Sequence, residues 1–327
     1  MTSSASSGYR TGARIGVLAL LWGSGFLWIK IALNHGLGPL QITVVRCLLG
    51  AAVLLLLARA AGQRLPQDAR TWRRLVIAAL FCNAVPFALF SLGEQTVDSG
   101  LAGVLNATTP LWALLIGLWL GTDRGLTGRR LSGLLLGFAG TLLIFAPWHH
   151  EGLLGWGPLA LLGAAASYAV AFAYMGRRLT NGGTGQLALS AAQLVAASGL
   201  TTSALPVAGA MTDAPQAFDF SPTALLAVLV LGVFSTGFTF HLNYRLIAEE
   251  GATSAATVGY LLPVVSVALG ALVLDETIGW RVIAGMAIVL AGVGMTRHRG
   301  PIATGVRAGT DRGPSGHARV TGVMPRR

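Results

Sequence analysis

The sequence predicts an all-α integral membrane protein with ten transmembrane helices, and three observations lead to this fold class. First, 54% of the residues are hydrophobic and only 11% are charged, which is too apolar for a water-soluble domain. Second, ten apolar runs are each long enough to cross about 30 Å of hydrocarbon. Third, the basic residues gather in alternate loops between these runs, as in chains that cross a membrane repeatedly.

Each apolar run is expected to cross the membrane as a helix. Unpaired backbone groups are costly in lipid, and the runs show no alternating pattern of a membrane barrel. The first run merges into further spans and lacks a small-residue cleavage site, so we do not expect a cleavable signal. In chain order the runs cover residues 15–33, 40–58, 75–92, 99–120, 131–147, 153–174, 186–206, 223–244, 253–274 and 281–296.

The distribution of charge predicts which helix ends face the cytoplasm. Of the 23 Lys and Arg residues, 20 fall on the inner side when the N-terminus is placed in the cytoplasm, Arg281 falls on the outer side, and Lys30 and Arg46 lie within spans. We therefore expect a multi-pass protein of the plasma membrane with both termini cytoplasmic. Residues 1–14 and the Arg- and Gly-rich residues 298–327 then form cytoplasmic tails, the second of them disordered. This explanation of the basic balance leaves little reason to expect nucleic acid as a partner.

The chain contains an internal repeat. A proline followed by an apolar run and, thirteen residues later, by an acid occurs twice, from Pro110 to Asp123 and from Pro263 to Glu276. Because the two copies lie in the fourth and ninth spans, each half of the chain holds five spans. An odd number of spans forces the second half to enter the membrane upside down. Such inverted repeats are typical of transporters that work by alternating access.

Further motifs identify a family that the sequence resembles. The first span contains "WGSGFLWIKIAL", the second begins with "VVRCLLGA", and the glycine-rich "GLLLGFAG" parallels "GMAIVLAG" in the second half. With the repeated proline and acid, these motifs resemble the EamA-type permeases of the drug/metabolite transporter superfamily. The resemblance implies two inverted five-helix repeats, residues 15–148 and 149–297, around a central cavity, often in an exporter. It leaves the cargo open, because the superfamily is similar in architecture across amino acids, drugs, sugars and other metabolites.

Charged residues within the spans of the first half are candidates for the transport route. Trp22, Phe26 and Lys30, the only lysine of the chain, are spaced by four and so share one stripe of the first helix. Arg46 and Glu94 are expected at the same outer depth, where the three charges would converge at the outer mouth of the first half. In the alternative, Lys30 extends to the lipid headgroups while Arg46 and Glu94 form a packing ion pair.

Two amides and an aromatic residue of the first half add to the candidates. Asn83 and Phe87 share a helix face with Glu94, and Asn106 lies on the fourth span. A buried amide in lipid either bonds to another helix or lines a cavity, and the sequence leaves both readings open.

In the second half the candidates are Tyr168, Phe172, His241 and Tyr260. Aromatic side chains with polar tips suit a cavity that holds a mostly apolar molecule, although ordinary helix packing would also explain them. Histidine side chains ordinarily titrate near neutral pH, which makes His241 a candidate proton carrier. The alternative is a neutral, hydrogen-bonded histidine near the membrane interface.

The motifs that are missing narrow the functional class. The sequence contains no phosphate-binding loop for ATP and no catalytic motif of a metalloprotease or serine hydrolase, and "HHEG" at residues 149–152 lacks metal-ligand spacing. We therefore expect no enzyme, no catalytic residues, no cofactor and no metal. The predicted function is a secondary active transporter in the lipid bilayer that moves a small metabolite or drug-like molecule, with protons as a possible coupling ion. An uptake permease and a non-transporting membrane sensor are the alternatives.

The orientation gives a first testable prediction. A topology reporter inserted after Arg74 should lie in the cytoplasm, and one inserted near Asp213 should lie outside, because the two sites are separated by an odd number of predicted spans. Accessibility of single introduced cysteines to an impermeant reagent measures this in intact cells. Labelling of both sites from the same side would contradict the inverted repeat.

Overall fold

The structure is a computed structural model, and it describes residues 2–97, 99–121, 127–145, 155–180, 183–211, 221–273 and 279–297. The repeat acids Asp123 and Glu276, the "HHEG" segment and the predicted tail 298–327 lie outside the described residues. All the regular structure that is described is helical. The first helix begins at Thr2, so the predicted N-terminal tail is helical in the structure. No proline interrupts residues 2–23, so the helix of the first span can continue backward through them.

The first half of the chain contains eight α-helices among its described residues. They are α1 (Thr2–Gly23), α2 (Gly25–Asn34), α3 (Pro39–Ala60), α4 (Ala69–Ala79), α5 (Val85–Gly93), α6 (Ser99–Asn106), α7 (Thr109–Trp119) and α8 (Gly128–Phe145). The second half contains seven helices among its described residues. They are α9 (Trp156–Arg178), α10 (Gln186–Met211), α11 (Pro222–Gly232), α12 (Thr239–Glu250), α13 (Ala252–Ala256), α14 (Leu261–Val273) and α15 (Trp280–Arg297).

Seven helical segments among the described residues are long and apolar enough to cross a membrane, at the positions of predicted spans one to four and six to eight. The fifth and tenth predicted spans correspond to the shorter apolar helices Leu131–Ile144 and Trp280–Met295. The ninth is divided between α13 and α14 by a 3₁₀ turn, Thr257–Tyr260. The fold is therefore a helical, multi-pass membrane protein, but the expected count of ten full-length spans is not confirmed.

The outer surface of the helices is suited to lipid. Large apolar side chains such as Leu56 (67% exposed), Trp119 (85%) and Trp280 (80%) point away from the bundle. In water such a surface would drive aggregation. In a bilayer the leucine contacts acyl chains, and exposed tryptophans are typical of the interface with headgroups.

The two halves repeat not only the spans but also their irregularities. A π-helical turn at Leu80–Ala84 separates α4 from α5, and another at Val233–Phe238 separates α11 from α12. Leu80 and Val233 are 153 residues apart, as are Pro110 and Pro263. These prolines also lie at equivalent places, each in the first turn of a helix that follows a break, where a missing N–H costs nothing.

Equivalent helices of the two halves pack against each other in opposite directions. α3 packs on α10, and the contacts of Gly50 with Leu194 and of Gln63 with Ala188 show that the two run antiparallel. α8 and α15 also pack antiparallel, since Gly140 lies against Val289 and Gly137 lies against Gly292. The first span of each half also contacts the third span of the other half. α2 of the first span contacts α11 of the eighth, and α9 of the sixth span contacts α5 of the third. This two-fold pattern is the arrangement that an inverted repeat requires.

Glycines allow the closest of these contacts, between α8 and α15. A Cβ atom added at Gly292 would lie 2.5 Å from the Gly137 backbone N, and one added at Gly140 would lie 2.7 Å from the Val289 backbone N. Such distances are below any ordinary contact, so only glycine lets the two backbones meet. We refer to this contact between α8 and α15 as the glycine seam.

We predict that Gly292→Ala weakens the glycine seam. The added methyl group must push the helices apart, and overpacking of this kind costs about 1–3 kcal/mol. Thermal unfolding of the purified protein in detergent should therefore shift to a lower temperature. Gly294→Ala is the matched control in the same helix, because nothing lies within 4 Å of its Cβ position. Equal melting temperatures for the two variants would contradict the prediction.

Candidate functional site

Aromatic side chains from both halves meet at the centre of the bundle. The ring centroids of Trp22 and Tyr168 are 5.5 Å apart in an edge-to-face contact. Phe26 and Phe90 are 5.4 Å apart, and Phe90 lies 5.8 Å from Tyr168. Phe172 completes this aromatic cluster, 5.9 Å from Tyr168. Trp22, Phe26 and Phe90 belong to the first half, so the cluster joins the two repeats through favourable ring contacts.

The space between these rings is narrow in the part of the chain that the structure describes. Trp22, Tyr168 and Phe172 line a narrow slot with Asn106 and Thr109, and its free volume is about 10 Å³. That space is smaller than any metabolite. Among the described residues around this slot, aromatic side chains therefore fill most of the space between the halves. Asn106 is the predicted amide that faces this slot, and Thr109 donates a long 3.4 Å hydrogen bond to its Oδ1.

Arg46 is buried against the other half, a contact that the sequence did not predict. Its side chain is buried, its guanidinium carbon lies 3.7 Å from the centroid of the Phe87 ring, and its Nε donates a 3.1 Å hydrogen bond to Thr236 Oγ1. Among the described residues, Thr236 is the hydrogen-bond partner of the guanidinium group. Arg46 therefore bridges the second span to the π-helical turn of α11 and α12, and the predicted ion pair with Glu94 is not formed.

A second polar contact mirrors that of Arg46. Asn83 Oδ1 accepts a 2.7 Å hydrogen bond from Gln193 Nε2, and Gln193 Oε1 accepts one from the Tyr244 hydroxyl. Asn83 lies in the first π-helical turn, 153 residues before Thr236 in the second. Asn83 therefore binds another helix, one of the two roles that the sequence left open.

The partners of these two polar side chains are also equivalent. Arg46 follows the first residue of α3 by seven positions, and Gln193 follows the first residue of α10 by seven. Phe87 and Phe240, again 153 residues apart, meet edge to face at 5.9 Å. The two-fold axis of the repeat thus passes between these rings. The positive charge of Arg46 stands on one side of it, with the neutral amide of Gln193 on the other.

A larger cavity of about 430 Å³ opens at the end of the bundle where α2 ends and α3 begins. We call it the vestibule, and polar or charged side chains line much of it: Lys30, Asn34, Gln41, Glu94 and Gln95. Lys30 Nζ donates hydrogen bonds to the backbone oxygens of Glu94, at 2.9 Å, and Val97, at 3.2 Å. Lys30 thus holds the carboxyl end of α5. Lys30 and Glu94 are in contact as expected, but Lys30 binds the backbone oxygen of Glu94 and not its carboxylate.

Two predicted site residues lie apart from this centre. His241 belongs to α12 and has electrostatic contacts with Arg245 and Arg14, near the ion pair of Arg14 with Glu249 at 2.6 Å. Tyr260 is fully buried, and its ring packs where a side chain at Gly137 would stand. Neither residue lines the slot or the vestibule.

Thr236 and Gln193 contribute to the site but were absent from the sequence-based candidates. The 153-residue repeat relates Thr236 to Asn83, so the internal symmetry carried a signal for it. Gln193 is an amide within a span rich in Ala and Ser. The argument that singled out Asn83, that a polar group in lipid needs a partner, applies equally to Gln193.

Sequence comparison with known proteins agrees with this architecture. The profile of the EamA-like transporter family matches the chain twice, over residues 14–146 and 155–297. The chain belongs to the EamA-like transporter family. The two matches coincide closely with the two predicted repeats, so this EamA protein contains one family unit in each half.

Relatives of this EamA protein are named as transporters. YvbV of Bacillus subtilis, an uncharacterised transporter, is 25% identical over 285 residues, which cover 87% of this chain and 90% of the relative. YedA of Escherichia coli, an uncharacterised inner membrane transporter, is 29% identical over 265 residues, covering 80% and 82%. One solved crystal structure superposes with a TM-score of 0.70 at 20% identity, covering 88% of this chain and 97% of the other. That last likeness shows the fold alone.

We predict that Gln193→Met destabilises the protein by about 1–3 kcal/mol. The substitution keeps the volume but leaves Asn83 and the Tyr244 hydroxyl without their hydrogen bonds to Gln193. Chemical unfolding in mixed micelles measures the loss. Asn243→Leu is the matched control, because Asn243 is equally buried but its two amide atoms have no hydrogen-bond partner in the described structure. A loss in the control as large as that in Gln193→Met would contradict the role of the hydrogen bonds.

Proposed function

We propose that this protein is a secondary active transporter that exports a small metabolite or drug-like molecule across the plasma membrane by alternating access. The observation that carries the proposal is the two-fold pairing of the halves. Equivalent helices pack antiparallel. Each π-helical turn is also joined by one polar contact to the second span of the opposite half, which is α3 or α10. Two halves related in this way can exchange conformations, which opens a central site first to one side and then to the other.

In this cycle the described structure corresponds to a state with a closed centre. The vestibule leads toward the aromatic cluster from the Lys30 end, which we place outside the cell, with both termini in the cytoplasm. Opening requires the rings of Trp22 and Phe90 to separate from Tyr168, because these rings join the halves across the slot. The family match and the relatives named as transporters support transport rather than catalysis.

The chemistry of the centre suggests what kind of molecule it accepts. Trp22, Tyr168 and Phe172 provide apolar ring surfaces, while Asn106 and Arg46 provide hydrogen-bond donors nearby. A site of this composition selects a mostly apolar molecule with one or two polar groups, which the donors orient. In the part of the chain that the structure describes, Thr236 binds only Nε, so the remaining N–H groups of Arg46 are available to such a group.

We predict that Arg46→Gln lowers the transport rate about tenfold or more. Glutamine can still donate a hydrogen bond to Thr236, so folding should be preserved, but the charge and the contact with Phe87 are lost. The measurement is efflux from proteoliposomes loaded with a panel of amino acids, organic acids, sugars and aromatic drugs. Arg73→Gln, at an exposed position, is the matched control and should transport like the wild type.

Four outcomes would count against the proposal. Absence of movement for every member of the panel would favour a membrane protein that does not transport. Wild-type rates in Arg46→Gln would remove Arg46 from the route. Failure of Arg46→Gln to insert or to reach the wild-type melting temperature would assign the residue to structure instead. Faster uptake than efflux in vesicles of known orientation would identify an uptake permease.

A further inference from the structure

We propose that Glu94 is the proton-binding group of the transport cycle, and that its charge decides whether Lys30 and Arg46 keep their present partners. This inference rests on the proposed function and names the coupling ion and its site. The sequence offered His241 as a proton carrier. The contacts around Glu94 make a stronger case.

The first observation is the state of the Glu94 carboxyl group. The residue is 0% exposed, and neither carboxyl oxygen has a hydrogen-bond partner in the described structure. An ionised carboxylate accepts several hydrogen bonds, and burying one with none of them made is very costly. The neutral, protonated acid is the form that fits this conformation. Glu94 also borders the vestibule, but its carboxyl oxygens are covered in this conformation, so exchange of the proton with vestibule water requires a local opening there.

The second observation is that cations stand close but are engaged elsewhere. Lys30 on α2 and Arg46 on α3 are the charged groups that interact with the Glu94 carboxyl. The Lys30 ammonium donates to two backbone oxygens, and the Arg46 guanidinium is held by Thr236 and Phe87.

α9 is the third helix that packs near Glu94, after α2 and α3. Its described residues place no charged side chain near Glu94. α9 meets the end of α5 through Gly157 and Leu161, which lie against Gly93. Its nearest titratable group is Tyr168, which interacts with Arg46. Asp98, four positions after Glu94, lies outside the described residues. The charge balance at Glu94 therefore involves Lys30 and Arg46.

Loss of the proton changes these contacts. A carboxylate at Glu94 attracts Lys30 and Arg46 strongly at low dielectric constant. Moving Lys30 toward it releases the end of α5, and moving Arg46 toward it breaks the hydrogen bond to Thr236, which joins the two halves. The proton on Glu94 and the contact between the halves are thus linked, and each biases the other. The step is a simple proton transfer between water in the vestibule and a carboxylate oxygen.

His241 lacks this connection. Its Nδ1 atom is buried without a partner, but its electrostatic neighbours are Arg14 and Arg245, and it borders neither the slot nor the vestibule. Protonation of His241 would therefore act on the end of α12 and not on a contact between the halves that the described structure contains.

Infrared spectroscopy of the full chain in lipid nanodiscs tests the proton site directly. The wild type should show the C=O band of a protonated carboxyl group that is shielded from deuterium exchange and disappears as the pH is raised. Glu94→Gln should lack this band. Asp98→Asn and Glu249→Gln, which remove a neighbouring and an exposed carboxyl group, should keep it. Absence of such a band in the wild type, or its persistence in Glu94→Gln, overturns the proposal, and the wild-type measurement decides even if the variant does not fold.

Hydrogen–deuterium exchange tests the link to the halves. After correction for the chemical exchange rate, amides of Val233–Phe238 should exchange faster at high pH in the wild type, because Arg46 leaves Thr236. In Glu94→Gln the exchange should stay at its low-pH value, since the amide cannot ionise. The same pH dependence in both proteins would overturn the link. Neither measurement needs a cargo, so a failure of the transport proposal leaves these results standing, and their failure leaves a transporter with another coupling group.

Discussion

Polar groups buried in hydrocarbon must find their partners within the protein, and the organisation of this molecule depends on that constraint. It makes all the regular structure that is described helical. It also explains the polar contacts between the halves, because the irregular turns of the third and eighth spans carry Asn83 and Thr236 to side chains of the opposite half. The same constraint makes the unpartnered carboxyl group of Glu94 an exception with a mechanistic meaning.

Much of the architecture could be predicted from the sequence because the signals are long or repeated. Apolar runs, the alternation of arginines and the proposed repeat around Pro110 and Pro263 require no knowledge of tertiary contacts. The π-helical turns could not be foreseen, because one extra residue in a helical turn hardly alters a pattern of apolar side chains. The division of the ninth span could not be foreseen for a similar reason, since a 3₁₀ turn interrupts the α-helix without interrupting the hydrophobic sequence.

The candidate site was predicted in part, and the division has a physical cause. Buried charges and amides are rare in spans, so Lys30, Arg46, Asn83 and Asn106 could be singled out individually. Which partner each would choose depends on helix rotation and depth, and these are set by packing. Arg46 was therefore expected beside Glu94 but is bound to Thr236 instead. Helical spacing alone also grouped Tyr260 with the site, although close contact with Gly137 places it elsewhere.

The glycine seam has a consequence for how the two copies diverge over evolutionary time. Gly140 and Gly292 hold the same position in the two repeat motifs, and each faces the helix to which the other belongs. A bulkier residue in either copy therefore damages one and the same contact. Elsewhere the halves are free to specialise, as the replacement of an arginine by a glutamine across the axis illustrates. Along this contact neither copy can accept a larger side chain, so both positions are confined to glycine.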